Sequence, residues 1–208
     1  MSKPTLAHYT AAIRVLRYLK GCPGKGLFFS RTCSSQLLGF SDAGFSDADW
    51  ATCIDSRHSV TGYCFFIGNS LVSWKTKKQP TVSRSSSEAE YRALASATCE
   101  LQWITHLLRD LQTSLSKPSL LYCDNNSALH IAANPVFHEH TEHLDIDCHL
   151  VREKSQAGLM LLLLVPSSNQ LADIFTNPPH SFSTNLSKLQ LQDIFVPPAC
   201  GVLTENTT

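Results

Sequence analysis

The sequence predicts an α/β protein with a mixed central sheet flanked by helices. Two adjacent apolar runs, SVTGYCFFI at 59–67 and LVSWKTK at 71–77, are joined by the turn signal Gly68-Asn69 and predict a hairpin. A long segment of helical periodicity follows, and the later strands alternate with further helices. The order strand, hairpin, helix, strand, helix, helix, strand, helix is typical of an α/β fold with a mixed sheet.

The N-terminal part begins with a predicted helix over 5–20, TLAHYTAAIRVLRYLK, whose apolar residues recur at helical spacing. Gly21 and the following CPGKG end this helix. Strands are predicted at 26–30 (GLFFS) and 36–40 (QLLGF), with the polar segment RTCSS between them. One helix and two strands therefore precede the hairpin.

The strongest helix prediction covers about 87–111, where one apolar stripe marks the face that packs on the sheet. The stripe consists of Ala93, Leu94, Ala97, Leu101, Ile104, Leu108 and Leu111. LLYC at 120–123 then predicts a buried strand, and NNSALHIAA predicts a helix that stops before an Asn-Pro pair. A helix at 143–156, an apolar strand at 159–165 and a short helix QLADIF, capped by the segment PSSN, complete the pattern.

Composition restricts the class of protein. The 208 residues are 43% hydrophobic and 16% charged, as is typical of a globular chain. Lys plus Arg equals Asp plus Glu, 17 of each, so no global field indicates a non-specific nucleic-acid coat. The longest apolar run, LMLLLLV, is too short to span a bilayer, and no membrane partner is expected. No signal pattern and no CxxC pair occur, so we expect an intracellular protein with reduced thiols, in a cytoplasmic particle or the nucleus.

Carboxylates stand where this layout brings chain ends together. The candidates are Asp42 or Asp47, in the back-to-back repeat GFSDAGFSDA, then Glu90, Asp124 and Asp173. They come from two strand ends and two helices, which is the pattern of a two-metal phosphodiester site. Taken singly, Asp124 is more typical of a helix N-cap, and Asp173 is more typical of a solvated surface acid.

Helix phase selects the acid of the long helix. Glu88 and Glu90 are about 200° apart on a helix, and Glu90 is the one on the apolar stripe. A carboxylate on a core-facing stripe is costly unless its charge is offset, for which a metal ion is one means. The alternative is a capping box in which Ser87 and Glu90 satisfy the start of the helix.

Five stretches of the chain share their order and spacing with one family. They are FSDADW, TGYCFFIG, SWKTKKQPTVSRSSSEAEYRAL, LLYCDNNSALHIAANPVFHEHTEHLDIDCHLVREKSQAGL and QLADIFTNPP. These stretches resemble the ribonuclease H domain of copia-type LTR retrotransposon polyproteins, which implies a ribonuclease H-like fold. The resemblance implies a remnant of the segment joining reverse transcriptase to ribonuclease H at 1–35 and the ribonuclease H-like domain at 36–178. Residues 179–208 are rich in Pro, Ser and Asn, which predicts a loosely packed tail.

The resemblance also implies the chemistry. The catalytic and metal-binding acids would be the Asp of the SDA motif, Glu90, Asp124 of CDN and Asp173 of LAD. The implied reaction is hydrolysis of the RNA strand of an RNA–DNA hybrid with two Mg²⁺ ions, which Mn²⁺ can replace. The implied partners are that hybrid and the reverse transcriptase domain of the parent polyprotein, whose C-terminal end this chain resembles.

The repeat leaves two candidates for the first acid, because Asp42 and Asp47 would point to opposite faces of one continuous strand. The spacing from Asp47 to Gly62 matches the family's run from SDADWA into the next strand, whereas Asp42 lies five residues further away. Extra length costs little in a loop before the second copy. We therefore predict that Asp47 is the catalytic acid and that Asp42 is an exposed loop or edge acid.

The basic residues Lys75, Lys77, Lys78 and Arg84 are candidates for phosphate contacts, and a solvated hairpin end is the alternative. A zinc site in the cluster His138, His140, His143, Cys148 and His149 is disfavoured, because the spacing matches no structural zinc fold.

A catalytically inactive transposon-derived fragment, at most a weak nucleic-acid-binding module, is the second interpretation of the chain. It is favoured by the repeat beside the site, by Asn177 in place of the family's usual lysine, and by the unbroken apolar run LMLLLLV.

Overall fold

The computed structural model describes residues 3–29, 34–44, 58–113, 115, 117–134, 144–176, 189 and 191–193. The described helices are α1 (Leu6–Gly21), α2 (Ser86–Asp110), α3 (Asn126–Ala133), α4 (Asp145–Gln156) and α5 (Asp173–Thr176), with one 3₁₀ turn at Ser167–Asn169. The described strands are β1 (Lys25–Leu27), β2 (Leu37–Gly44), β3 (Val60–Ile67), β4 (Ser70–Lys78), β5 (Ser119–Cys123), β6 (Met160–Leu164) and β7 (Leu191–Asp193). The predicted elements up to β6 are present, with ends that differ from the predictions by a few residues.

Five strands form one mixed sheet in the order β4-β3-β2-β5-β6. Strands β2, β3 and β4 are antiparallel neighbours, whereas β2, β5 and β6 run parallel to one another. The turn between β3 and β4 has Gly68 at φ 58°, a left-handed conformation that glycine adopts without steric cost. The predicted α/β fold with a mixed central sheet flanked by helices is confirmed.

Helix α2 covers one face of the sheet and forms the main core. Ser85 caps its N-terminus by accepting a hydrogen bond from the backbone of Glu88. Its residues Leu94 and Leu101 are fully buried and belong to the same cluster as residues of β2, β3 and β5. The buried stripe ends at Ile104, and Leu111 is 65% exposed, so the predicted stripe was too long at its C-terminal end.

The opposite face of the sheet is covered partly by the C-terminal part of the chain. Leu189 is buried in a cluster with Cys64, Phe66 and Leu71, and β7 pairs with β1 in a separate two-stranded sheet. These few residues of the predicted tail therefore pack against the rest of the chain. Leu191 of β7 is partly buried against the same cluster.

Two segments keep apolar side chains exposed. Helix α1 has no buried residue, although Leu6, Leu16 and Leu19 are large and apolar. Strand β6 lies at the edge of the sheet, where Leu161 and Leu164 are exposed. Within the described residues, no helix combines the length and the apolar character needed to cross a bilayer.

Candidate active site

Two neighbouring parallel strands bring the first pair of carboxylates together. Asp42 lies near the end of β2, and Asp124 directly follows β5, which pairs with β2 in parallel. Parallel strands end at the same edge of a sheet, so these two acids meet there. Asp42 is only 5% exposed, and its carboxylate is covered on one side by Thr176.

Helix α2 supplies the third acid through a close approach to β2. Ala43, Ala89 and Ala93 form a small buried cluster, and their short side chains let the helix lie against the strand. Glu90 is 8% exposed, and its Oε2 accepts a hydrogen bond from the backbone N–H of Ala43 at 3.2 Å. The helix-phase prediction that Glu90 faces inward is confirmed.

Glu88 has the structural role that was the alternative for Glu90. Its carboxylate accepts a hydrogen bond from the backbone N–H of Arg84 at 2.7 Å and pairs with Arg92 at 2.9 Å. The helix therefore starts with Ser85 and Glu88 as its capping residues, and the alternative of a Ser87–Glu90 capping box was wrong.

The fourth acid lies on α5, which reaches the sheet through glycine positions. A Cβ atom on Gly62 would lie 2.6 Å from Cγ2 of Thr176, and one on Gly44 would lie 2.8 Å from the Thr176 carbonyl oxygen. Only a strand surface without side chains at these positions allows α5 to pack so closely. This packing brings Asp173 to the cluster and lets the hydroxyl of Thr176 donate a hydrogen bond to Oδ2 of Asp42.

The acids form two overlapping groups of potential metal ligands. Asp42, Asp124 and Asp173 each offer an oxygen, and these atoms lie within 4.8 Å of one another. Within the same limit, Glu90 and Asp124 form a second group with the Sγ atom of Cys123. Asp124 belongs to both groups, so the two potential sites are adjacent.

Burial and mutual repulsion raise the pKa values of the two most buried acids. Burial, together with the charge of Asp124, raises the pKa of Asp42 to about 6, although the hydrogen bond from Thr176 opposes the shift. Burial raises the pKa of Glu90 to about 9, with further contributions from the charges of Asp42 and Asp124. The charged groups that raise these values are all acids, so a bound cation would stabilise the ionised cluster.

The prediction that Asp42 is an exposed loop or edge acid was wrong. Asp42 is a buried residue of a central strand and lies beside Asp124 and Asp173. Asp47 lies outside the described residues, so its assignment as the catalytic and metal-binding acid stays a prediction. Among the described residues, Asp42 is the acid of the repeat that joins the cluster.

The core explains why the first copy of the repeat occupies the strand. If β2 slid by five residues to bring the second copy to the site, Asp42 would take the core position of Leu37, which is 0% exposed. Burying an unpartnered carboxylate there costs several kcal/mol or protonates the group. Five extra residues in a connection of about ten cost only about 0.4 kcal/mol in closure entropy. Spacing to Gly62 was therefore a weaker criterion than the burial of Leu37.

Asp124 is not the N-cap of α3, which was the alternative role for this residue. Asn125 is the N-cap of α3, and its Oδ1 accepts a hydrogen bond from the backbone of Ala128 at 3.0 Å. The Oδ2 atom of Asp124 instead accepts a hydrogen bond from the hydroxyl of Ser167 at 2.8 Å. The carboxylate therefore points toward the segment that leads into α5.

Sequence reasoning missed three residues that position the cluster: Ser167, Gln170 and Thr176. Gln170 is buried, and its side chain donates to the backbone oxygen of Ser41 at 2.9 Å while accepting from the backbone N–H of Ala172. Helix α5 begins only at Asp173, so the predicted helix QLADIF started too early. In the sequence, Gln170 is a polar residue followed by Leu, Ala and Asp, a pattern that does not indicate a contact with a distant strand.

Three of the four predicted basic residues lie together on β4, an outer strand of the sheet. Lys75, Lys77 and Lys78 line a cavity of about 360 Å³ with Arg92, whereas Arg84 is not among its lining residues. The cavity is also lined by Thr61 and Tyr63 of β3, the strand between β2 and β4, so it lies to one side of the acids. The roles of these lysines and of Arg84 in nucleic-acid binding stay predictions.

The histidine cluster falls largely outside the described residues. His138, His140 and His143 lie there, as does Asn177. Cys148 is buried in the core on α4, whereas His149 is exposed.

Sequence relatives identify the family of the chain. No protein-family model matches. The chain is 41% identical over 201 residues to the retrovirus-related Pol polyprotein from transposon RE2 of Arabidopsis thaliana, covering 97% of this chain and 14% of that protein. It is 34% identical over 176 residues to the corresponding polyprotein from transposon TNT 1-94 of Nicotiana tabacum, covering 85% and 13%. The chain thus spans about a seventh of the length of these relatives.

Solved structures give weaker similarities. LC11-RNase H1, in complex with an RNA/DNA hybrid, aligns with a TM-score of 0.49 at 12% identity, over 68% of this chain and 94% of that one. The N-terminal RNase H domain of a Mycobacterium tuberculosis protein aligns with a TM-score of 0.48 at 12% identity, over 76% and 97%. Both scores are below 0.5, so the family assignment depends on the sequence relatives.

The mixed sheet with a buried carboxylate cluster at the ends of its central strands, in a chain with these relatives, defines a ribonuclease H-like domain. The homologues of the chain are retrovirus-related Pol polyproteins of copia-type transposons. The resemblance found in its motifs is thereby confirmed.

Proposed function

We propose that the protein is a ribonuclease H that cleaves the RNA strand of RNA–DNA hybrids by two-metal-ion hydrolysis, during retrotransposon reverse transcription. The observation that carries the proposal is the convergence of Asp42, Glu90, Asp124 and Asp173 in two ligand groups that share Asp124. Family membership supports the same reaction, since the relatives are Pol polyproteins of transposons.

The donor set fits Mg²⁺. Carboxylate oxygens are the ligands that this hard cation prefers, with Mn²⁺ as a substitute. Cys123 is the one soft donor of the described groups, and a sulfur ligand does not suit a hard cation such as Mg²⁺. Two adjacent cations would also lower the raised pKa values of Asp42 and Glu90 by opposing the repulsion among the acids.

Bound Mg²⁺ would supply an activated water and Lewis-acid stabilisation of the leaving 3′ oxygen. The chain contributes the four carboxylates that would hold the ions, on two strands and two helices that are packed into the core. Hydrogen bonds from Ala43 to Glu90 and from Ser167 to Asp124 orient those carboxylates before a substrate arrives. Such preorganisation is what a reaction with developing charge requires.

Recognition of the hybrid is part of the proposal. Contacts to 2′-hydroxyls across the shallow minor groove of the hybrid would select RNA as the cleaved strand. The cavity lined by Lys75, Lys77 and Lys78 is the candidate for a phosphate of the hybrid, with Arg84 as a further contact. The reverse transcriptase domain of the parent polyprotein is the proposed protein partner.

We expect the purified chain to cut the RNA strand of a labelled hybrid in Mg²⁺ or Mn²⁺ and to leave single-stranded RNA and duplex DNA intact. EDTA should abolish the cleavage. The site variant Asp124→Asn should be inactive, whereas Glu153→Gln, a change to an exposed acid of α4, serves as the matched control and should cleave normally. Cleavage of all three substrates, or cleavage that persists in EDTA, would contradict the proposal, and a stably folded but inactive wild-type chain would favour the inactive fragment.

A further inference from the structure

We propose that Thr176 is a positioning residue that fixes the orientation of the Asp42 carboxylate and thereby sets the affinity of the cluster for divalent cations. The inference rests on the proposed function, because it assigns a role toward the metals that the four acids would hold. It adds a residue that carries no charge and has no place in the ligand groups.

The first observation is the contact itself. The Thr176 hydroxyl donates a hydrogen bond to Oδ2 of Asp42, and both residues are at least nine-tenths buried. The alternative acceptor, the backbone oxygen of Asp173 in the same turn, lies 3.3 Å away, beyond the usual range of O–H···O bonds. A hydroxyl has one proton to donate, so the carboxylate is its acceptor.

The second observation is that the fold makes room for this contact. Gly62 lies opposite Asp42 on the neighbouring strand, and a side chain there would collide with the Thr176 methyl group. Gly44, two residues after Asp42 on the same strand, leaves room for the Thr176 backbone. The strand surface around the acid thus leaves room for Thr176 and for the neighbouring residues Ala172 and Phe175.

The third observation is that Thr176 holds one of the two carboxylate oxygens of Asp42. With Oδ2 held by Thr176, the rotation of the Asp42 carboxylate is fixed, and the acid enters the group formed with Asp124 and Asp173. Partners that hydrogen-bond a metal-binding carboxylate fix its orientation, and their loss typically weakens metal affinity about 10–100-fold. The same turn of α5 supplies Asp173, so one short helix delivers one acid and orients another.

The test compares variants of Thr176 that separate the hydroxyl from the methyl group. Thr176→Val keeps the shape and removes the donor, Thr176→Ser keeps the donor and removes the methyl group, and Thr176→Ala removes both. Thr98→Val is the matched control, because Thr98 is fully buried but donates to a carbonyl of its own helix at 2.9 Å. Calorimetric titration with Mn²⁺ gives the affinity, and thermal unfolding in EDTA reports on folding without metal.

We expect the Val and Ala variants to bind Mn²⁺ about tenfold or more weakly, and the Ser and Thr98→Val variants to bind like wild type. Hybrid cleavage by the Val variant should recover as Mg²⁺ is raised. If the Val variant does not fold, the Ser and Ala pair gives the same comparison. The inference alone would be overturned if the Val or Ala variant bound Mn²⁺ as tightly as wild type does. It would also be overturned if the Ser variant lost as much Mn²⁺ affinity as those two variants. A wild-type chain that binds no Mn²⁺ would overturn the proposed function and this inference with it.

Discussion

We expect Asp42→Asn to reduce hybrid cleavage by at least about 10³-fold, while Asp47→Asn leaves it nearly unchanged. Asp42 is buried beside Asp124 and Asp173 and offers one of the three oxygens of that ligand group. The amide keeps the size and the hydrogen bond from Thr176 but removes the negative charge that would hold a cation. The measurement is the initial rate on one labelled hybrid at saturating Mg²⁺.

The two copies of GFSDA make this a matched comparison, since the same substitution is made in the same five-residue context. Circular dichroism and thermal unfolding of both variants control for folding. Loss of activity at position 47 with survival at position 42 would restore the prediction from spacing. It would also mean that β2 slides by five residues and buries Asp42 in the place of Leu37.

The second large effect concerns the two glutamates at the start of α2. We expect Glu90→Gln to abolish cleavage and Glu88→Gln to change the rate less than about threefold, because only Glu90 lies in a ligand group. Glu88 pairs with Arg92 four residues away, and such a pair contributes about 0.3–0.5 kcal/mol to stability. The reverse pattern of activities would contradict the assignment of Glu90.

The pH dependence of stability without metal tests the environment of Glu90. The folded protein raises the pKa of Glu90 from 4.5 to about 9, so between these values it holds a proton that the unfolded chain has released. Stability from this source is present at low pH and is lost as pH rises, by at most about 1.4 kcal/mol per pH unit. In EDTA, the melting temperature of Glu90→Gln should therefore fall less between pH 5 and 9 than that of wild type. Equal slopes would show that Glu90 ionises normally in the fold.

Most of the fold followed from local patterns. The hairpin, the long helix and the alternation of later strands with helices depend on turn residues and on periodicity, which sequence shows directly. Helix phase also placed Glu90 correctly, because a stripe such as Ala93, Leu94 and Ala97 fixes which side of α2 faces the sheet. These are short-range signals, and each lies within a short segment of the sequence.

The remaining features depend on contacts between distant parts of the chain. The choice between Asp42 and Asp47 depends on the cost of replacing Leu37 in a core that includes residues of β3, β5 and α2. Thr176 and Gln170 act on β2 across more than 120 positions of sequence, through a hydroxyl and an amide that have no pattern of their own. Leu189 likewise packs on the sheet from a segment whose composition indicates a tail.

The central claim is that a divalent-metal site forms around Asp42, and its most direct test is to locate Mn²⁺ in crystals of the wild-type chain by anomalous diffraction. The account predicts an anomalous peak between the carboxylates of Asp42, Asp124 and Asp173, with Thr176 still bonded to Asp42. A peak coordinated by Asp47 instead, or crystals in millimolar Mn²⁺ with no peak at this cluster, would contradict it.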